Sequence, residues 1–350
     1  MIKYRMATSG DNQQLIALTA SSGMAGEIAL RIDRKPDFFK LLEMRGETKV
    51  FVALEEDTII ASLCVSLQQV YVGGEIYPLR YIGDFKVAEE YRKKGIGLRL
   101  CDNMADYVIS NNSDLAFLNI SKGNNRPVSF FRNRPNVPDF DNIGIFKIHQ
   151  FIGKKIKKLA ARHNIRDTEI TEDVLLFLNE YYRKYELGSV ITREKLGGAQ
   201  VFKIQQNNKI IAVMCLVDTM NLKQNVVTRI SFKMKVLLKA MNFFSGLGGI
   251  SKMPTLNEPV RMMYIKYLAV NNQEKEVVKS LINYARDIVY GKSYSYVSIG
   301  LHEKDPLHNC FNGLLKITFK SVGMLLSIKN SRPLIEKVKN GIPFEDYSLV

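Results

Sequence analysis

The chain has 350 residues, a formal net charge of +15 and 46% hydrophobic residues, a globular composition with room for two domains of ordinary size. It contains no apolar run approaching the roughly 18 uncharged residues of a spanning helix, and its N-terminal MIKYRMATSGDNQQL lacks a signal-peptide core, so a cytoplasmic location without a membrane span is expected. The positive charge favours anionic partners (coenzyme phosphates, nucleic acid or an anionic membrane surface) and does not choose among them.

In chain order, residues 2–6 predict a first strand and residues 11–21 a helix with Leu15, Ile16 and Leu18 on one side. A short helix is expected over 36–45, ended by Gly46. The runs 49–54 and 59–67 predict strands about the turn Glu55-Glu56-Asp57-Thr58, and Tyr71-Val72 and 77–87 continue the sheet across Gly73-Gly74. Gly95-Ile96-Gly97 then opens a helix to about Ser110, with Leu98, Cys101, Ala105 and Val108 at helical spacing and Leu100 and Met104 beside them. Residues 115–120 predict a buried strand. Cys64, Cys101, Cys215 and Cys310 lie in apolar contexts and read as reduced core residues. Neither they nor His149, His163, His302 and His308 have metal-site spacing, so no metal is expected.

Chemistry concentrates in residues 81–100, YIGDFKVAEEYRKKGIGLRL. A strand, a glycine turn and an uncovered helix start make an anion site, because the first N–H groups of a helix have no partner inside it and the dipole is positive there. Gly95 and Gly97 allow close approach of a phosphate, and Arg92, Lys93 and Lys94 add charge. The segment is not a P-loop, since Leu98 follows Gly97, and it lacks the third glycine of the dinucleotide fingerprint.

What it resembles is the coenzyme A pyrophosphate loop of the GNAT (Gcn5-related N-acetyltransferase) superfamily: a strand ending in Val, then Arg-x-x-Gly-x-Gly/Ala, then a helix. Here Val87 is followed by Arg92, Gly95 and Gly97, with Tyr91 and Ile96 also fitting. The order strand, two helices, three strands, helix, strand is that of the family, whose fourth and fifth strands splay around the thioester arm; here these are 81–87 and 115–120. The resemblance implies binding of acetyl-CoA through Phe85, Lys86, Val87, Arg92, Lys93, Lys94, Gly95, Ile96 and Gly97, with Asn124 on the pantetheine arm. Phe131 stands where the family has a tyrosine that protonates the departing sulfur, so that acid is expected to be absent; a thiolate of pKa about 8.5 leaves without much help. Asp84 is the carboxylate best placed by sequence to deprotonate an amine, with Glu27 and Asp218 behind it, although strand alternation turns Asp84 away from Phe85 and Val87, and an ion pair is its other reading.

Residues 139–151 are expected to close this first module, and the basic stretch 153–164 to connect it to the next. A helix capped by Thr171, a hairpin about Asn207-Asn208 and a long basic amphipathic segment, 231–244, follow; the apolar positions of that segment are expected in the core. The strand 262–270, a helix over about 275–290 and a strand over 294–300 repeat the plan of 81–120. Phe311 then stands in a place like that of Phe131, and two closing strands over 316–328 and a final short helix with its tail complete the chain. The repeat lacks the loop chemistry, because Asn271-Asn272-Gln273-Glu274 places an acid where phosphates would sit.

The expected architecture is therefore α+β, mixed α/β: two acyl-CoA N-acyltransferase-like (GNAT) domains, each a mixed, mostly antiparallel sheet flanked by helices. Their bounds are 1–152 and 165–350, with a linker at 153–164. The resemblance implies an N-acetyltransferase using acetyl-CoA and a small-molecule or peptide amine. A non-catalytic coenzyme sensor of the same fold is the alternative, and a basic nucleic-acid or membrane-surface protein the lesser one.

Overall fold

A computed structural model describes the chain apart from residues 22, 25–27, 112, 124–138, 157–163 and 328–331. The elements run β1 (Ile2–Met6), α1 (Asn12–Ala20), β2 (Gly23–Met24), β3 (Ile28–Asp33), α2 (Lys40–Arg45), β4 (Glu47–Glu55), β5 (Thr58–Val72), β6 (Glu75–Val87), α3 (Ile96–Ser110) and β7 (Leu115–Ser121). They continue with β8 (Asp141–Ile152), β9 (Ile165–Thr168), α4 (Glu172–Tyr182), β10 (Gly188–Ser189), β11 (Ala199–Gln206), β12 (Lys209–Asp218), β13 (Gln224–Ile230) and α5 (Phe232–Gly248). The last are β14 (Met262–Val270), α6 (Lys275–Gly291), β15 (Tyr296–His302), β16 (Lys316–Ser327) and α7 (Arg332–Asn340).

One large sheet runs through the molecule in the order β1-β4-β5-β6-β7-β16-β8-β15-β14-β12-β11-β9, with β10 on β5, and β13-β3-β2 form a small second sheet. Strand alternation feeds a core on each face of the large sheet. Along β4, Val50, Val52 and Leu54 meet Leu15, Ile16 and Leu18 of α1, while Phe51 and Ala53 meet Leu100, Cys101, Met104 and Val108 of α3. In the second half, Ala212, Met214 and Leu216 of β12 face α6, and Val213 and Cys215 face α4. Each fully buried Leu, Val or Met side chain here contributes about 1.5–3 kcal/mol.

Most elements fall where the sequence places them, with informative exceptions. The strand expected to close the first module, β8, pairs with β15 and β16 rather than β7. Residues 316–327 are one strand rather than two; β16 pairs with β7 on one edge and β8 on the other, so the two halves share a continuous sheet. Leu98 is exposed rather than buried, since α3 turns Ile96, Leu100, Cys101, Met104 and Val108 to the sheet. The residues after α7 do not hang free: Phe344, Tyr347 and Leu349 are buried between the halves.

Candidate active site

β6 ends at Val87 and the chain turns into α3 through residues 88–95, where Lys93 (φ 65°) and Gly95 (φ 79°) take left-handed backbone. Gly95 is the N-cap of α3, and a Cβ there would meet nothing within 4 Å, so space is open in front of the helix start. Among the described residues, the N–H groups of Lys93, Lys94, Gly95, Ile96 and Gly97 donate to no protein group. Arg92, Lys93 and Lys94 are exposed around this turn; Arg92 Nε donates to Val87 O (3.2 Å), and Lys94 Nζ lies 5.0 Å from the Tyr91 ring centroid. Five amides at a positive helix end, with three cations beside them, form an anion cradle. Tyr91 is committed elsewhere, since its hydroxyl donates to Glu55 Oε2.

β6 and β7 pair in parallel only from Leu79–Leu115 to Ile82–Leu118. Beyond that the strands part: β6 runs on to Val87 beside β5, and β7 to Ser121 beside β16. At the parting point β6 bulges, so that Asp84 and Phe85 together oppose Leu63, and Asp84 takes φ 51°. Phe85 and Val87 turn to the α3 side and Asp84 to the other. A Cβ on Gly83 would lie 2.9 Å from Cε1 of Tyr81, so the backbone there needs glycine.

The family model of the acetyltransferase (GNAT) domain matches residues 3–123, which hold both the parted strands and the cradle. Residues 3–123 are a GNAT domain. The likeness to solved structures extends over both halves. A GCN5-related N-acetyltransferase from Anabaena variabilis superposes with a TM-score of 0.55 at 12% identity, covering 94% of this chain and 73% of that one. N-myristoyltransferase from Saccharomyces cerevisiae with bound myristoyl-CoA gives 0.60 at 11% identity, with 93% and 82% covered. A GCN5-related N-acetyltransferase from Kribbella flavida gives 0.53 at 11%, with 93% and 70% covered. At these identities the likeness is one of fold. No curated protein matches the sequence.

Asp84 of the GNAT domain has different work from the base role offered by its position. Its carboxylate accepts from Arg34 Nη2 (2.6 Å) and Arg45 Nη1 (2.7 Å), and all three side chains are buried. Burial alone would raise its pKa, but the two guanidiniums outweigh burial and hold it well below the usual carboxylate range. A carboxylate held this way does not take a proton near neutral pH, so the expectation of Asp84 as base is corrected to that of an ion-pair anchor. The excess positive charge is felt by Lys223, whose pKa burial, then Arg34 and Arg45, push down to about 7. Asp218 accepts from Tyr294 Oη (2.7 Å). Asn124, Phe131 and Glu27 lie outside the described residues.

Sequence reasoning missed the opposite wall. On the Tyr81 face of β6 lies a small cavity of about 20 Å³, bordered by Arg45, Tyr81, Lys195, Lys266, Glu345 and Asp346. Lys266 Nζ is 3.4 Å from Asp346 Oδ2. Burial, then the neighbouring Asp346, push Glu345 up to about 8. Arg34, Arg45, Lys266 and Glu345 come from four separate stretches of chain, and no local pattern links them. The one available signal was the apolar rhythm of the last seven residues, where Phe344, Tyr347 and Leu349 do not read as a solvated tail.

Proposed function

We propose that the protein transfers an acyl group from acyl-CoA, with acetyl-CoA as the donor, to an amine. The observation that carries this reading is the set of amides at Lys93–Gly97, which donate to no group among the described residues, beside the parting of β6 and β7. The pyrophosphate sits on those amides, with Arg92, Lys93 and Lys94 around it. The pantetheine arm runs along Phe85–Val87 as an added strand, and a main-chain N–H at the bulge polarises the thioester carbonyl. That the yeast N-myristoyltransferase of similar fold holds myristoyl-CoA supports an acyl-CoA as the ligand.

The acceptor approaches from the other face of β6. A protonated amine must lose a proton before attack. Glu345 replaces Asp84 as the group to take it, because it borders the cavity and its pKa of about 8 is close to working pH. The amine nitrogen forms a bond to the acyl carbon, the carbon–sulfur bond breaks, and the coenzyme departs as thiolate, without an acid at Phe131. The amine's proton passes to Glu345. The second half, 165–350, supplies Lys195, Lys266 and Glu345 to the acceptor side and holds no coenzyme.

The test is calorimetric titration with acetyl-CoA, followed by thiol release on a panel of amines. Binding with turnover supports the reading. Binding without turnover on any amine favours the coenzyme sensor, and absence of binding removes both.

A further inference from the structure

Helix α5 breaks the expectation that its apolar positions are core. Leu238 and Ser245 are buried, and Leu238 packs with Val227, Met253 and Val260, so one face of the helix does hold the protein. The opposite face is also apolar. Phe232 is 81% exposed, Val236 54%, Leu237 52% and Phe243 78%. Phe232, Val236, Ala240 and Phe243 follow one another at four, four and three residues, which is one stripe of a helix. Lys233, Lys235 and Lys239 flank the stripe, all exposed. No Asp or Glu occurs between Asp218 and Glu258, whereas Arg229 and Lys252 add to the charge. Lys155 joins the C-terminal end, its N–H donating to Gly249 O (2.7 Å).

We propose that α5 docks the protein on an anionic lipid bilayer, lying in the headgroup layer with Phe232 and Val236 inserted, Leu237 at the edge of the inserted face and the three lysines against lipid phosphates. The helix has 17 residues, and no helix of the described residues is long and apolar enough to cross a membrane, so it lies on the surface. Charge and shape select this occupant. Nucleic acid would use the lysines and leave the exposed phenylalanine, valine and leucine without a role. A second copy docked face to face would bring like lysines together across the twofold axis. A bilayer satisfies both halves of the pattern. The inference stands independently of the acyl-transfer reading.

The test is sedimentation of the full chain with vesicles of equal phosphatidylglycerol and phosphatidylcholine, compared with phosphatidylcholine alone. Binding is expected to the anionic vesicles and to be at least tenfold weaker to the neutral ones. Reversing Lys233, Lys235 and Lys239 to Glu should weaken it more than a hundredfold, since each surface lysine contributes roughly a fivefold factor and the added carboxylates repel the lipid phosphates. Replacing Phe232, Val236 and Leu237 by Ser leaves the charge alone and should weaken it about tenfold or more. Both variants alter exposed positions, so melting temperature and acetyl-CoA binding should stay as in the parent, which separates this result from any failure of the acyl-transfer reading. No partition into anionic vesicles overturns the proposal. So does duplex DNA binding lost with the lysines but kept by the Ser variant, or a dimer in solution that the Ser variant abolishes.

Discussion

The two halves carry the same device with different chemistry. In each, a bulged strand runs into a turn and a helix, then into a strand parallel to the first: β6, α3, β7 and β14, α6, β15. Both bulges place a buried charge, Asp84 against Arg34 and Arg45 in the first half and Lys266 against Asp346 in the second. The turns differ. In the first, Gly95 caps the helix in left-handed backbone amid three exposed cations. In the second, Asn272 (φ 54°) and Gln273 (φ 49°) make the turn, Glu274 is the cap residue, and Cys310 Sγ lies 3.9 Å from Gln273 O. Leu307 and Phe311 are buried in the same apolar cluster as Leu268 and Val270. One plan thus gives an anion cradle where glycine and cations occupy the turn, and a packed wall where an acid and a hydrophobic plug do.

The largest test of this comparison is at the bulges. Asp84→Asn leaves two buried guanidiniums with no carboxylate and should destabilise the protein by about 3–5 kcal/mol, measured by denaturant unfolding. Because the folded pKa of Asp84 lies below the unfolded value, its contribution is present above about pH 4 and is lost as pH falls from there toward the folded value; the variant should show a weaker acid-side loss. If Asp84→Asn kept its stability and lost only turnover, Asp84 would be the base after all.

Next comes the cradle. Gly95→Asp introduces a carboxylate where a Cβ has room and Asp tolerates the left-handed backbone. Acetyl-CoA affinity should fall tenfold or more by calorimetry, and unchanged affinity would remove the phosphate assignment. At the acceptor wall, kcat/KM should rise with pH through about 8 as Glu345 ionises. Glu345→Gln should abolish that rise while leaving coenzyme binding intact; a retained profile would assign the proton to another group. The smallest effect is expected in the second turn, where Glu274→Gln should change acetyl-CoA affinity less than twofold. A larger change would mean that the second half binds coenzyme too.

What depends on near neighbours could be read along the chain. The rhythm of Val50 to Leu54, the Gly95-Ile96-Gly97 opening of α3 and the strand 262–270 each encode a local backbone preference and one buried face, and these appear in place. The turn proposed as an anion cradle was legible for the same reason, since its amides, glycines and cations lie within a few residues. The sharing of β16 between β7 and β8, the pairing of Asp84 with Arg34 and Arg45, and the return of Glu345 to the wall of the cavity emerge only in the folded chain. The outward apolar face of α5 belongs with them, because a helix apolar on two sides does not say which side the protein keeps. Those features join residues distant along the chain, and what fixes them is the cost of burying charges and strand edges without partners, which only the assembled fold can meet.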